Sequence, residues 1–482
     1  MLIRMAVGRD SFEKIRQNKD YYIDKTELVY ELVEKTSNEV TLFTRPRRFG
    51  KTLNMSMMEC FFDIKRDSRD LFDGLEIAKH TEFCSEWMNK YPVIFFSLKS
   101  VDGLDFDSAY GQLKYVISEL YQKFEFLCHE NAVDEADVIA FKNIMFRTAS
   151  LFEIKNSLKI IMRMLNVVYG KRVILLIDEY DVPLAKASEK NTFDNKYYER
   201  MLDVVRGIFD AALKTNEYLK FAVITGCLKI AKESIFTGTN NFKSYSVLDK
   251  LFSQYFGFSD EEVKLLLKNA ELSDKFELIR KWYNGYIFGN SSVYCPWDVV
   301  NYVADVSKED IKPQNYWKNT SHNSILLTFV KRTDFDVADK FEILLNGGTI
   351  TQTISDDLTY DALHESEENL WSVLLMTGYL TKSDINSDGN LVELKIPNEE
   401  ISNIFEDTVI KFFNETLDKN RQKDLMEALW NGEEEKASKL MTEILFTTIS
   451  YYDYHENYYH AFLTGIISGL GYAVKSNKEN GL

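Results

Sequence analysis

Four short apolar runs dominate the first half of the chain: Val40 to Phe43, Val93 to Leu98 (VIFFSL), Val173 to Ile177 (VILLI) and Phe221 to Ile224 (FAVI). Runs this short, apolar at nearly every position, suit strands buried on both faces of a sheet, since both sides of the pleat must then lie against helices. Between the runs, Tyr110, Leu113, Ile117, Leu120, Tyr121 and Phe124 recur at helical spacing, as do Leu151, Ile154, Leu158, Ile161, Met162 and Leu165. Strand and helix in alternation predict an α/β unit with a parallel sheet flanked by helices and joined by right-handed crossovers.

After about Phe256 the alternation gives way to amphipathic helix, as at Glu261 to Lys268, and to the aromatic segment KWYNGYIFGNSSVYCPWDVVNYV around 281–303. A helical lid over 256–330 is expected. The turn-forming SDINSDGN between apolar runs within Leu380 to Pro397 predicts a β-hairpin in a small α+β or winged-helix-like region, 331–425. Leu425 to Leu440 reads as charged helix, Asn457 to Leu470 as an apolar helix rich in small residues, and Tyr472 to Val474 as the start of a strand. The expected division is 1–255, 256–330, 331–425 and 426–482, in line with two to four domains for 482 residues.

Composition narrows the function classes. A formal charge of −17 repels polyanions, so nucleic acid as a partner would need a local basic surface that the net charge does not support. The five cysteines, Cys60, Cys84, Cys128, Cys227 and Cys295, are scattered and form no C-x-x-C pair, which points away from a zinc site or a disulfide framework. Nowhere do eighteen uncharged apolar residues run together, so no membrane span is expected and the location expected is cytoplasmic.

The segment VTLFTRPRRFGKTLNMSMM places Gly50, Lys51 and Thr52 between a strand and a helix, the context a phosphate-binding loop needs. There the loop N–H groups and the helix N-terminus hold phosphate oxygens, Lys51 reaches the β- and γ-phosphates of ATP, and the Thr52 hydroxyl ligates Mg²⁺. Arg47, Arg48 and Phe49 complete the candidate nucleotide-binding set, the two arginines adding charge beside the phosphates. Arg45 stands where the common pattern G-x-x-x-x-G-K-[ST] has its first glycine, so a loop of different shape, stiffened by Pro46, is expected. A bare G-K-T tripeptide is also compatible with an ordinary strand-to-helix turn.

VILLIDEYD puts Asp178 and Glu179 at the C-terminal end of an apolar strand, where open α/β sheets bind ligands. Asp178 is the candidate for holding Mg²⁺ through water, and Glu179 for orienting and deprotonating the attacking water. A plain acidic turn before a helix is the other reading. Thr225, ending the FAVI strand, either senses the γ-phosphate or serves local turn hydrogen bonds. Lys229 and Lys232 are weak candidates for the transition-state charge, lacking the arginine fork.

RPRRFGKT, LLIDEYDVPL, TGCLKIAKESIFTGTNN and WYNGYIFGN with YCPWDVVNY together resemble the bacterial AAA-ATPase-like proteins that pair a P-loop ATPase with a C-terminal PD-(D/E)XK nuclease-like domain. The resemblance implies Walker A roles for Lys51 and Thr52 and Walker B roles for Asp178 and Glu179, and it accounts for Arg45, because the arginine-rich loop is a hallmark of that family. The terminal ENYYHAFLTGIISGLGYAVKSNKENGL looks like the first helix and strand of the nuclease-like unit. The strands that would carry its metal-binding aspartate and E-x-K pair are not in this sequence. His455, Glu456 and His460 read as helix surface, so nuclease activity is not expected of this chain.

The expected function is an Mg²⁺-dependent ATP hydrolase acting as a switch for a C-terminal effector, with a protein partner or a second copy as possible companions. A non-hydrolysing nucleotide-binding scaffold, a remnant of a nucleic-acid enzyme and a small-molecule kinase are the alternatives. The cluster Trp282, Tyr283, Tyr286, Tyr294 and Trp297 reads mainly as core, and Gly8 to Asp24 as a candidate neighbour of the base.

Overall fold

A computed structural model of the chain describes residues 3–190, 196–230, 236, 242–307, 311–317, 338–355, 357–358, 366–384, 391–416 and 419–448. Lys232, most of SDINSDGN, His455, Glu456, His460, the segment 457–470 and the segment 472–474 lie outside the described residues.

The four apolar runs form strands β1 (Val40–Thr44), β2 (Val93–Ser97), β3 (Val173–Asp178) and β4 (Leu219–Gly226). With β5 (Phe242–Tyr245) they make one five-stranded parallel sheet in the order β2-β3-β4-β1-β5. Successive residues of β3 point to opposite faces: Val173, Leu175 and Ile177 join one core, Ile174 and Leu176 the other. All five are fully buried. At about 1.5–3 kcal/mol for each buried aliphatic side chain, this stretch supplies the drive that carries the charged end of the strand into the interior.

The N-terminal segment contributes α1 (Phe12–Gln17) and α2 (Glu27–Glu34), and α3 (Lys51–Phe62) leaves the loop after β1 to cover one sheet face with Met57, Met58, Phe61 and Phe62. The opposite face is covered by α4 (Phe106–Gln122), α5 (Glu135–Met145), α6 (Leu151–Lys155), α7 (Ser157–Tyr169) and, beyond α8 (Val182–Lys190), by α9 (Tyr197–Leu213). The continuous helical pattern read from Leu151 to Leu165 is two helices. They meet at Asn156, with α6 started by a Ser150/Glu153 capping box. Phe124 lies just past the end of α4 but stays in the core.

Beyond Phe256 come α10 (Asp260–Asn269) and α11 (Phe276–Tyr283), then an antiparallel hairpin of β6 (Tyr286–Phe288) and β7 (Ser291–Val293), then α12 (Pro296–Val306). The stretch expected to form a helical lid thus contains a hairpin within its aromatic segment, and strands of three residues leave no periodicity. Helix α13 (Ala338–Leu345), β8 (Ile350–Thr353), α14 (Glu367–Thr377), β9 (Thr381–Lys382) and β10 (Leu391–Lys395) follow. The two strands flanking the turn-forming segment pair antiparallel, as the hairpin reading expects, and β8 adds a third on the far side of β10. Helices α15 (Glu399–Thr416), α16 (Lys419–Trp430) and α17 (Glu434–Thr448) end the described chain, and Gly432, at φ 67°, breaks the charged helical stretch between α16 and α17.

The β6–β7 hairpin is wedged between the sheet domain and this later region. Ile287 N donates to Thr381 Oγ1 at 2.8 Å, the buried Lys382 Nζ donates to Gly289 O at 2.8 Å, and Asn398 Nδ2 donates to Asn284 O at 2.9 Å. At Gly285, with φ 102°, a Cβ would sit 1.9 Å from Pro397 O, so only glycine lets the two backbones approach this closely.

Candidate functional site

Strand β1 ends at Thr44, and residues 45–50 turn into α3. The left-handed backbone of the loop falls at Arg48 (φ 73°) and at Gly50 (φ 80°), the N-cap of α3. Arg45 is not among the positive-φ residues, so the loop needs no glycine there. Its fully buried guanidinium instead fills space. Nη1 donates to Thr44 O and Tyr245 O, both at 2.8 Å, and the group lies 4.9 Å from the Phe256 ring and 5.7 Å from that of Phe288. Burial lowers its pKa while the nearby Asp249 works the other way, and an arginine so placed keeps its charge at neutral pH.

The next residues are gripped by the β6–β7 hairpin and α12. Phe49 is buried between Tyr286 and Phe288, with ring centroids 4.9 Å away in each case, and the Arg48 guanidinium lies 4.1 Å from the Trp297 ring of α12. Lys51, at the first turn of α3, is buried. Its Nζ donates to Arg45 O and Pro46 O, both at 3.1 Å, and lies 3.4 Å from Glu179 Oε1. Burial works against this ammonium, but Cys227, Glu179, Asp181 and Asp178 around it outweigh burial and hold its pKa above the ordinary lysine value.

Strand order brings three strand ends together around one carboxylate. Because β4 lies between β1 and β3, Thr225 on β4 donates its hydroxyl to Asp178 Oδ1 at 2.6 Å, while Thr52 on α3 donates to Oδ2 at 2.9 Å. Ser97, paired in register with Asp178 on β2, is 3.4 Å from the same Oδ2. Asp178 is fully buried; burial and the adjacent Glu179 raise its pKa, and the hydroxyls of Thr225 and Thr52 with Lys51 pull it back. Glu179, at φ 54°, turns the chain sharply, its N–H donating to Thr225 Oγ1 at 3.4 Å. Its Oε2 is buried without a hydrogen-bond partner among the described residues. A buried, unpartnered carboxylate oxygen beside a lysine is costly unless it serves a ligand.

These groups border a cleft of about 520 Å³, a size that accommodates a small-molecule ligand. Its walls include Arg47, Arg48, Phe49, Gly50, Lys51, Thr52 and Glu179. Asp178 and Thr225 stand behind that wall, reaching the cleft through Thr52 and Glu179. Residues of the stretch read as a candidate neighbour of the base, among them Gly8, Asp10, Tyr22 and Ile23, form another wall, with Trp297 and Val300 of α12 also bordering the cleft. Of the aromatic cluster, Tyr283, Tyr286 and Tyr294 are buried in the core, and Trp297 alone borders the cleft. Lys229 is not among the cleft residues; it sits on a two-residue strand paired with Asp357 and Leu358.

Three supporting residues escaped the sequence reading. Ser97 is one. Asp181, also buried, accepts the N–H groups of Cys227 at 2.9 Å and Leu228 at 3.1 Å, anchoring the turn after β4. Asn54 in α3 donates to Tyr255 O at 3.1 Å, tying the helix to the chain just before Phe256. The DEYD string held a clue to Asp181, as the third acid after an apolar strand; Ser97 and Asn54 carry no local signal.

A parallel sheet whose strand, loop and helix cradle a buried lysine, next to a strand ending in two acids, is compatible with a P-loop-like α/β domain. Residues 6–236 match the family model described as "Predicted AAA-ATPase". That interval contains the loop, both acids and Thr225, and a family of this description suggests ATP binding. The chain is also 24% identical over 426 residues to an "Uncharacterized protein in vnfD 5'region" of Azotobacter chroococcum mcd 1, a match covering 87% of this chain and 72% of that protein. Neither description mentions a nuclease.

Proposed function

We propose that this protein binds ATP in the cleft, hydrolyses it to ADP and phosphate, and uses the nucleotide state to move the lid and the region beyond it. The observation that carries the reading is Glu179: a carboxylate at a strand end, beside the loop lysine, with one oxygen left without a partner among the described residues. In that role Glu179 accepts a hydrogen bond from water and takes its proton as it attacks the γ-phosphorus. Lys51 and the N–H groups at the start of α3 bind the phosphate oxygens. Thr225 keeps Asp178 aimed and bears on Glu179 through its N–H.

The Thr52 hydroxyl and the Asp178 carboxylate, 2.9 Å apart, are suited to Mg²⁺. Mg²⁺ held by these two side chains would neutralise phosphate charge during the transfer.

The lid coupling is supported by where the loop is held. Arg45, Arg48 and Phe49 contact Phe256, Trp297 and the β6–β7 hairpin, so a loop that shifts with its ligand shifts those elements as well. A non-hydrolysing scaffold is favoured by one observation, the Lys51–Glu179 ion pair, which occupies the candidate base. Mg²⁺-dependent ATP turnover and nucleotide affinity, measured for the native protein, Lys51→Ala and Glu179→Gln, separate the two. Loss of turnover in both variants, with affinity lost mainly in Lys51→Ala, supports hydrolysis. Tight binding without turnover in the native protein supports the scaffold, and no binding sinks both.

A further inference from the structure

Arg47, Arg48, Lys51 and Lys186 border the cleft and Lys229 does not, and a preference for a triphosphate over a diphosphate needs a cation that meets the terminal phosphate alone. We propose that Lys99 is that cation, contacting the γ-phosphate and making the cleft prefer a nucleoside triphosphate over a diphosphate. The inference rests on the nucleotide-binding reading above and adds a substrate-contacting residue to it.

Lys99 lies two residues past the end of β2. Leu98 N donates to the backbone Asp178 O at 2.9 Å, and Ser97 approaches Asp178 Oδ2, so the two residues before Lys99 are held to Asp178, whose carboxylate Thr52 touches. Lys99 borders the same cleft as Lys51, Thr52 and Glu179. Its Nζ is 3.0 Å from Asp10 Oδ2, and Asp10 borders the cleft from the N-terminal segment. That segment is fixed to the phosphate helix, since Phe12 N donates to Ser56 Oγ of α3 at 3.0 Å. The ion pair therefore spans from the end of β2 to the segment seated on α3. Both partners are more than half exposed, 57% and 58%, so the pair holds weakly. A triphosphate carries more charge than one carboxylate and draws the flexible lysine away from Asp10 at little cost.

The test is the affinity of the full chain for ADP and for a non-hydrolysable ATP analogue with Mg²⁺, in the native protein, Lys99→Ala and Lys99→Arg. Loss of a charge-assisted phosphate contact should weaken analogue binding about tenfold or more in Lys99→Ala, leave ADP binding within about twofold, and be largely rescued in Lys99→Arg. The ADP value reports whether each variant is folded. An unchanged ratio of analogue to ADP affinity in Lys99→Ala overturns the proposal and leaves the nucleotide reading standing. An equal loss for both ligands also overturns it, because a merely structural lysine does that. Failure of the native protein to bind either nucleotide overturns the nucleotide reading and this inference together.

Discussion

The site rests on single hydrogen bonds to buried groups, and those are where one atom matters most. Thr225→Val keeps the shape of the side chain but removes the donor to Asp178 Oδ1 and the acceptor for Glu179 N. It leaves a carboxylate oxygen of Asp178 unsatisfied in the interior, so unfolding in urea should show a loss of about 1–3 kcal/mol. ATP turnover should fall together with that stability. At this scale the sequence was legible where chemistry is local: a loop with G-K-T and a strand ending in D-E are written in consecutive residues, and the structure brings them to the ends of two strands that flank β4. Ser97 and Asn54 were not legible, because their roles depend on strand order and on which backbone carbonyl lies opposite. Arg45 was legible only as a departure from the common loop; its partners on β5 and the hairpin lie some 200 residues and more away.

Among elements, the hairpin and α12 carry the sharpest expectations. Gly285→Ala places a Cβ against Pro397 O in a backbone conformation that alanine rarely adopts. The cost should be about 2–4 kcal/mol, read as a lower melting temperature and earlier proteolysis between the sheet domain and the later region. A second expectation concerns Asp298 of α12 and Glu400 of α15, two buried carboxyls side by side. Burial raises the pKa of Asp298, with Arg48 and Cys295 opposing, and burial together with Asp298 raises that of Glu400. Carboxyls whose folded pKa values are raised contribute full stability below their unfolded values, near pH 4, and lose it as pH rises through the raised values. The native protein should therefore be less stable in urea at about pH 8 than at about pH 5, and Asp298→Asn should show a smaller decline. The long apolar strands were legible as elements because burial on both faces leaves a continuous apolar run. Strand β5, FKSY at the sheet edge with only Tyr245 buried, and the three-residue strands of the hairpin leave no such trace.

For the whole molecule, nucleotide binding and stability should be linked. With ATP and Mg²⁺ at about a hundred times the dissociation constant, a ligand that binds only the folded state contributes about 2.7 kcal/mol, or roughly 5–10 °C in melting temperature for a domain of this size. Lys51→Ala should show little of that shift. The end of strand-and-helix alternation after about Phe256 was legible from the change in periodicity. How closely the parts are joined was not, because the joining contacts are hydrogen bonds to backbone carbonyls and aromatic stacks, which have no periodicity.

The buried guanidinium at Arg45 has a consequence for anyone who would edit this loop toward the familiar pattern. Arg45→Gly would look like a repair on paper. In this protein it would pull a post from beneath the edge strand, the linker at Phe256 and the hairpin at once. The damage would register less in the grip on phosphate than in how firmly one half of the chain feels the other.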